Sequence, residues 1–128
     1  IAKQLASTDE PIKRPACIIA GGESTVTISG HGLGGRNQEL ALSTVEGFAD
    51  QDDMIFVSLA TDGEDGPTDA AGAVVTEKTL NRAKEIGLDP REYLSNNNSY
   101  HFFDPLGDLL KTGYTETNVC DLAFIFAF

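Results

Sequence analysis

The apolar runs of this chain are few and short, and that limits its fold more than any other feature. They cover residues 16–20, 54–60 and 122–128. None approaches the roughly 20 residues that a membrane-spanning helix needs. Runs of this length suit buried strands. Between the first two lies a different period, with Leu40, Ala41, Val45 and Phe48 placed to share one face of a helix. Strands alternating with helical segments predict an α/β domain.

The remaining elements are read from breakers and caps. Residues 1–6 look like the end of a helix, and 7–15, with Pro11 and Pro15, like a linker. Thr25, Val26, Thr27, Ile28 and Ser29 alternate polar and apolar after Gly21 and Gly22, which predicts a β-hairpin and hence a mixed sheet. A helix is expected over 76–86, stopped by Gly87, a short turn or helix near Tyr93, and helix in the later part of 100–110. At 128 residues the whole chain is one domain, 1–128.

Nine Lys and Arg against 20 Asp and Glu give a net charge of -11. No basic stripe for nucleic acid is present, and the field repels anionic membranes. No basic-then-apolar leader supports secretion. The first residue is Ile1 rather than Met, which suggests a fragment. Cys17 and Cys120 share no CxxC motif and are expected reduced and structural.

Four segments carry chemistry. The first, Gly30-His31-Gly32-Leu33-Gly34-Gly35, fits GxGxxG between a predicted strand and a predicted helix, the context of a dinucleotide site or of a simpler anion-binding loop. The acidic residue that should close a dinucleotide site falls late, at Asp62. The second is Arg36, which opens a helix where a cation opposes the dipole; an anion in front of it, or a salt bridge to Glu23 or Glu39, would account for it. The third, residues 61–72, places Asp62, Glu64, Asp65 and Asp69 within eight residues at the end of a predicted strand. Such a set suits Mg²⁺, a general base or bonds to hydroxyls, or else a solvated turn. It starts like an EF-hand loop but has Gly72 where that pattern needs Glu. The fourth, residues 112–118, suits a ligand loop or a plain turn. His31 and His101 have no partner at zinc spacing.

Together these blocks resemble the MOFRL domain, the C-terminal part of class II glycerate 2-kinases. The resemblance runs from about Pro15 to Phe128. It rests on Gly-Gly-Glu at 21–23, Gly-Gly-Arg-Asn-Gln-Glu at 34–39, Thr-Asp-Gly-Glu-Asp-Gly-Pro-Thr-Asp-Ala-Ala-Gly at 61–72, Asn-Ser-Tyr-His-Phe-Phe at 98–103 and Thr-Asn-Val at 117–119. It implies a cytoplasmic enzyme that transfers the ATP γ-phosphate to D-glycerate, giving 2-phosphoglycerate, in a cleft shared with an N-terminal domain or partner chain. It further implies ATP and Mg²⁺ for the full enzyme. Carried over by motif, Arg36 and Asp62 are the catalytic candidates, with Gly34, Gly35, Asn37, Glu39, Asp65, Asp69, Thr117 and Asn118 around a small anionic substrate. Asp62, Asp65 and Asp69 are expected to face the cleft. The family's last loop usually reads Thr-Gly-Pro-Thr-Gly-Thr-Asn-Val-Asn-Asp; here Tyr114, Glu116 and Cys120 depart from it, and Asn98 stands where Asp is common. A stand-alone, non-catalytic domain binding a small anion or a partner protein is therefore the second reading. Hydroxypyruvate reductase, a label also attached to the family, would need the dinucleotide site. The metal site and oligomeric state, a homo-oligomer included, are left open.

Overall fold

The computed structural model describes residues 1–128. Its centre is a five-stranded sheet in the order β1-β5-β2-β3-β4. The strands are β1 (Ala16–Gly22), β2 (Met54–Ala60), β3 (Gly72–Thr76), β4 (Leu109–Leu110) and β5 (Asp121–Ala127). The helices are α1 (Ala2–Thr8), α2 (Arg36–Phe48), α3 (Thr79–Glu85), α4 (Pro90–Ser95) and α5 (Ser99–Phe103). No helix is long and apolar enough to cross a membrane.

The α/β class and the strands near 16–20, 54–60 and 122–128 stand as expected. The pairing differs: every neighbouring pair is antiparallel, so the sheet is not mixed. The expected hairpin is absent. Gly21 and Gly22 continue β1 instead of turning, because β1 is an edge strand paired along its whole length with β5, from Ala16 opposite Ala127 to Gly22 opposite Asp121. Residues 23–29 form no strand. β3 takes the end of the acidic loop segment and the first residue of the helix expected over 76–86, and α3 begins only at Thr79. The helix expected late in 100–110 is instead α5, a 3-10 turn and the short β4.

One face of the sheet holds the core. Met54, Phe56, Val75 and Ala127 join Ala41, Val45 and Phe48 of α2 and Phe102 and Phe103 of α5 in a single apolar cluster. Leu40 was expected on the buried face of α2 but is 37% exposed; Leu42 takes the inward position. Burying a side chain such as Phe102 contributes about 1.5–3 kcal/mol. This packing fixes α2 across β2 and β3 and so sets where its N-terminus points.

Candidate functional site

Three loops meet where β2 ends and β5 begins. Residues 61–72 reach α2 through Asp65, and residues 112–120 close onto 61–62. Thr61 donates its N–H to the Cys120 carbonyl at 3.0 Å, and Thr115 its N–H to the Asp62 carbonyl at 3.1 Å. Asn118 donates from Nδ2 to Asp62 Oδ2 at 3.2 Å.

The glycine loop departs from its motif. The Ser29 and Gly30 amides both donate to Asn97 Oδ1 at 2.8 Å. His31 donates to Asn96 Oδ1 and Leu33 to Asn98 Oδ1. The Gly32 amide donates to the Asn96 carbonyl at 2.9 Å. Glycine is needed here because backbone meets backbone: a Cβ on Gly30 would lie 2.3 Å from the Asn96 carbonyl carbon, and one on Gly32 2.4 Å from Asn98 Cβ. These amides therefore serve the fold, and residues 30–33 are neither a dinucleotide cradle nor an anion loop. The amides of Gly34, Gly35 and Arg36 have no protein acceptor.

Arg36 is the first residue of α2, and Gly35 caps it with no side-chain bond. Its fork grips a carboxylate from β5: Nε donates to Asp121 Oδ2 at 2.6 Å and Nη2 to Asp121 Oδ1 at 2.7 Å. This partner is neither Glu23 nor Glu39, the two considered from spacing. The Arg36 side chain stays 31% exposed while that of Asp121 is 8% exposed. Hydrogen bonding to Asp121 holds the guanidinium pKa above its ordinary value. Burial pushes the Asp121 carboxyl up, but the Arg36 fork and the Asn37 amide outweigh it and hold it below the usual carboxylate range.

Asp65 corrects an expectation. It is fully buried instead of facing the cleft. Its Oδ1 accepts from the Asn37 backbone N–H at 3.1 Å and from Asn37 Nδ2 at 3.2 Å; its Oδ2 accepts from the Gln38 N–H at 2.8 Å. It thus caps α2 from another loop, satisfying first-turn amides and the dipole with one carboxylate. Burial still raises its pKa against those bonds. Asn37 is also fully buried, and its Oδ1 accepts from Ser58 Oγ of β2 at 2.7 Å, so it is a strut between α2, β2 and the loop that carries Asp65. Asp69 is exposed and bonded to Tyr100 Oη at 2.8 Å and Lys111 Nζ at 3.3 Å. Thr117 and Asn118 are exposed on the last loop.

Glu39 lines a cavity of about 240 Å³ together with Gly34, Gly35, Arg36, Gly66 and Asn97. It is only 8% exposed, and its Oε1 is buried with no hydrogen-bond partner. Burial raises its pKa, against the pull of the Asn97 amide, and Asp65 adds to the rise. The cavity is smaller than the roughly 300–1,000 Å³ of drug-sized ligand sites. The acidic residues do not converge: Asp65 points inward, Asp62 meets Asn118, and Asp69 meets Lys111. No group of three or more His, Cys, Asp or Glu is placed to hold a metal ion. Residues 30–33 are committed to the fold as well, so that loop offers no cradle for the phosphates of ATP.

The profile of the MOFRL family matches residues 16–121. The chain belongs to this family. It is 49% identical over 122 residues to the D-glycerate 2-kinase of Thermotoga maritima, covering 95% of this chain and 29% of that protein. Against the human glycerate kinase it is 46% identical over 119 residues, covering 88% of this chain and 23% of the relative. The crystal structure of glycerate kinase from Thermotoga maritima superposes with a TM-score of 0.97 at 47% identity, over 100% of this chain and 31% of that one. The PH0495 protein from Pyrococcus horikoshii gives a TM-score of 0.93 at 41% identity, over 99% and 29%. This MOFRL chain therefore spans less than a third of the length of these relatives.

Asp121, the partner that fixes Arg36, is not among the residues that the sequence motifs single out. Its signal was the Asp that closes the family's last-loop pattern, which this chain keeps at 121.

Proposed function

We propose that this chain is the C-terminal domain of a cytoplasmic glycerate kinase, a phosphotransferase passing the ATP γ-phosphate to D-glycerate to give 2-phosphoglycerate. ATP and Mg²⁺ are then held by the rest of the enzyme, and this domain binds and orients the small acid. The observation that carries the reading is Arg36. It is locked on Asp121, 31% exposed, and lines a small cavity beside the unpaired amides of Gly34 and Gly35. Phosphoryl transfer is mainly positioning and charge neutralisation, which a fixed guanidinium and a helix start supply. Asp62, on the adjoining loop, is the second candidate for contact with the reacting groups. The identity to D-glycerate 2-kinase supports the choice of substrate.

A non-catalytic role keeps one observation in its favour: residues 111–120 are exposed throughout, with Tyr114 76% exposed at a departure from the family pattern. A coupled ADP-release assay with D-glycerate separates the two. This chain alone should show no turnover. A chimera carrying it in place of the matching segment of the Thermotoga maritima enzyme should turn over. A folded but inert chimera would support the non-catalytic reading, and robust turnover by this chain alone would contradict the shared cleft.

A further inference from the structure

The helices cover only one face of the sheet. Met54, Phe56, Val75 and Ala127 point into the cluster they form, and Ile18 and Ile125 pack against it. The register puts Ile19 opposite Phe124, and Phe124 opposite Val57, which in turn faces Val74. Side chains alternate along a strand, so these residues share the other face. Ile55 and Phe126 extend it one row further. None of these six belongs to the core cluster or packs against it. Ile19 is 61% exposed, and the other five are half-buried.

A sheet with one face in water ordinarily alternates apolar-in with polar-out. Here the outward positions of β1, β2, β3 and β5 carry no charged residue. Phe124 and Phe126 stack there with ring centroids 5.8 Å apart. A contiguous apolar face of this kind marks an interface.

We propose that this open face is the seat of the polypeptide that precedes the MOFRL domain in a full-length glycerate kinase. The inference rests on the reading of the chain as one domain of that enzyme. Two observations select this occupant. The matched relatives are more than three times longer than the matched segment, so most of such an enzyme lies outside this domain and in the same molecule. A second copy is the other candidate for an apolar face, but each copy brings a net charge of -11, and pairing two of them brings like charge together.

Cys17 reports on the face directly, because it is exposed and pairs opposite Phe126. With Cys120→Ser, and with any cysteine of the Thermotoga maritima part likewise replaced by Ser so that Cys17 is the single thiol, its rate of reaction with a thiol reagent is measured in this chain alone and in the Thermotoga maritima chimera. The expected result is a monomeric chain whose Cys17 reacts at least about 10-fold faster than in the chimera. Equal rates overturn the proposal, and so does a dimer of this chain that already shields Cys17. Should the chimera fail to fold, the preceding part of that enzyme is added to this chain as a separate polypeptide; absence of protection there overturns the proposal equally. Ile19→Lys supplies a second readout: little change in the Tm of this chain alone but a fall of several degrees when the partner segment is present. A protected but inactive chimera would fail the functional reading and keep the interface; an active one with Cys17 fully reactive would do the reverse.

Discussion

Arg36 and Asp121 stand 85 residues apart in the chain and are joined by two parallel hydrogen bonds of 2.6 and 2.7 Å. The pair ties the first residue of α2 to the first residue of β5. It offsets the unfavourable position of a cation at a helix start. It also leaves Nη1 and one Nη2 proton of the guanidinium for another acceptor. Asp121 is thus a positioning residue for Arg36.

Asp121→Asn in the active chimera should lower kcat about 10- to 100-fold, because the guanidinium loses its charged partner, one of its two acceptors and its fixed direction. The pH dependence of stability checks the pairing separately. The folded-state pKa of Asp121 lies below its ordinary value. Its contribution is therefore fully present above the unfolded value near pH 4 and is lost as pH falls through the folded one. Thermal melts from pH 7 down to pH 2 should show a shallower acid loss in Asp121→Asn than in the parent.

Glu39 should behave with the opposite sign. Its folded pKa is raised, chiefly by burial. The folded state then holds a proton that the unfolded state releases, so stability falls as pH rises from the unfolded value through the folded one. Glu39→Gln removes that loss. Its Tm should exceed that of the parent at pH 7, and the difference should vanish near pH 4. Equal melting points at pH 7 would show that the buried Oε1 is better solvated than its lack of a partner implies.

Gly32→Ala tests the assignment of the glycine loop. A methyl group there would lie 2.4 Å from Asn98 Cβ. Overpacking of this kind costs about 1–3 kcal/mol, which is several degrees of Tm in a domain of this size. A phosphate-binding loop would instead keep its Tm and lose affinity for an added anion. Melting with and without inorganic phosphate separates the two.

Asp65→Ala should be strongly destabilising, by about 2 kcal/mol or more, because it strips a buried cap from two backbone amides and the Asn37 side chain. Loss of activity should follow loss of fold. A variant with unchanged Tm but impaired turnover would return Asp65 to the ligand-facing set.

Local patterns made α2, β2 and β5 legible, since each carries its own period or apolar run. The hairpin failed because the partner of β1 is β5 at the far end of the chain, and long-range pairing leaves no trace in nearby residues. β3 was missed because its five residues follow a Gly- and Asp-rich loop and lead into a helical pattern. The site shows the same division. Arg36 was readable from its odd position at a helix start. The inward turn of Asp65 was not, because a carboxylate that caps a helix from another loop looks, in sequence, like any other in an acidic turn. The Gly30 and Gly32 motif misled because glycine permits close approach to any backbone, and here the neighbour is Asn96–Asn98 rather than a phosphate.

The most direct test of the account is Arg36→Lys in the chimera, read by kcat for D-glycerate and by Tm together. Lys keeps the charge but loses the bidentate fork. The account predicts a fall in kcat of about 10- to 1000-fold with the Tm moved by no more than a few degrees. Unchanged turnover, or a drop in Tm large enough to explain the lost activity, would contradict it and make Arg36 a structural tie to Asp121 alone.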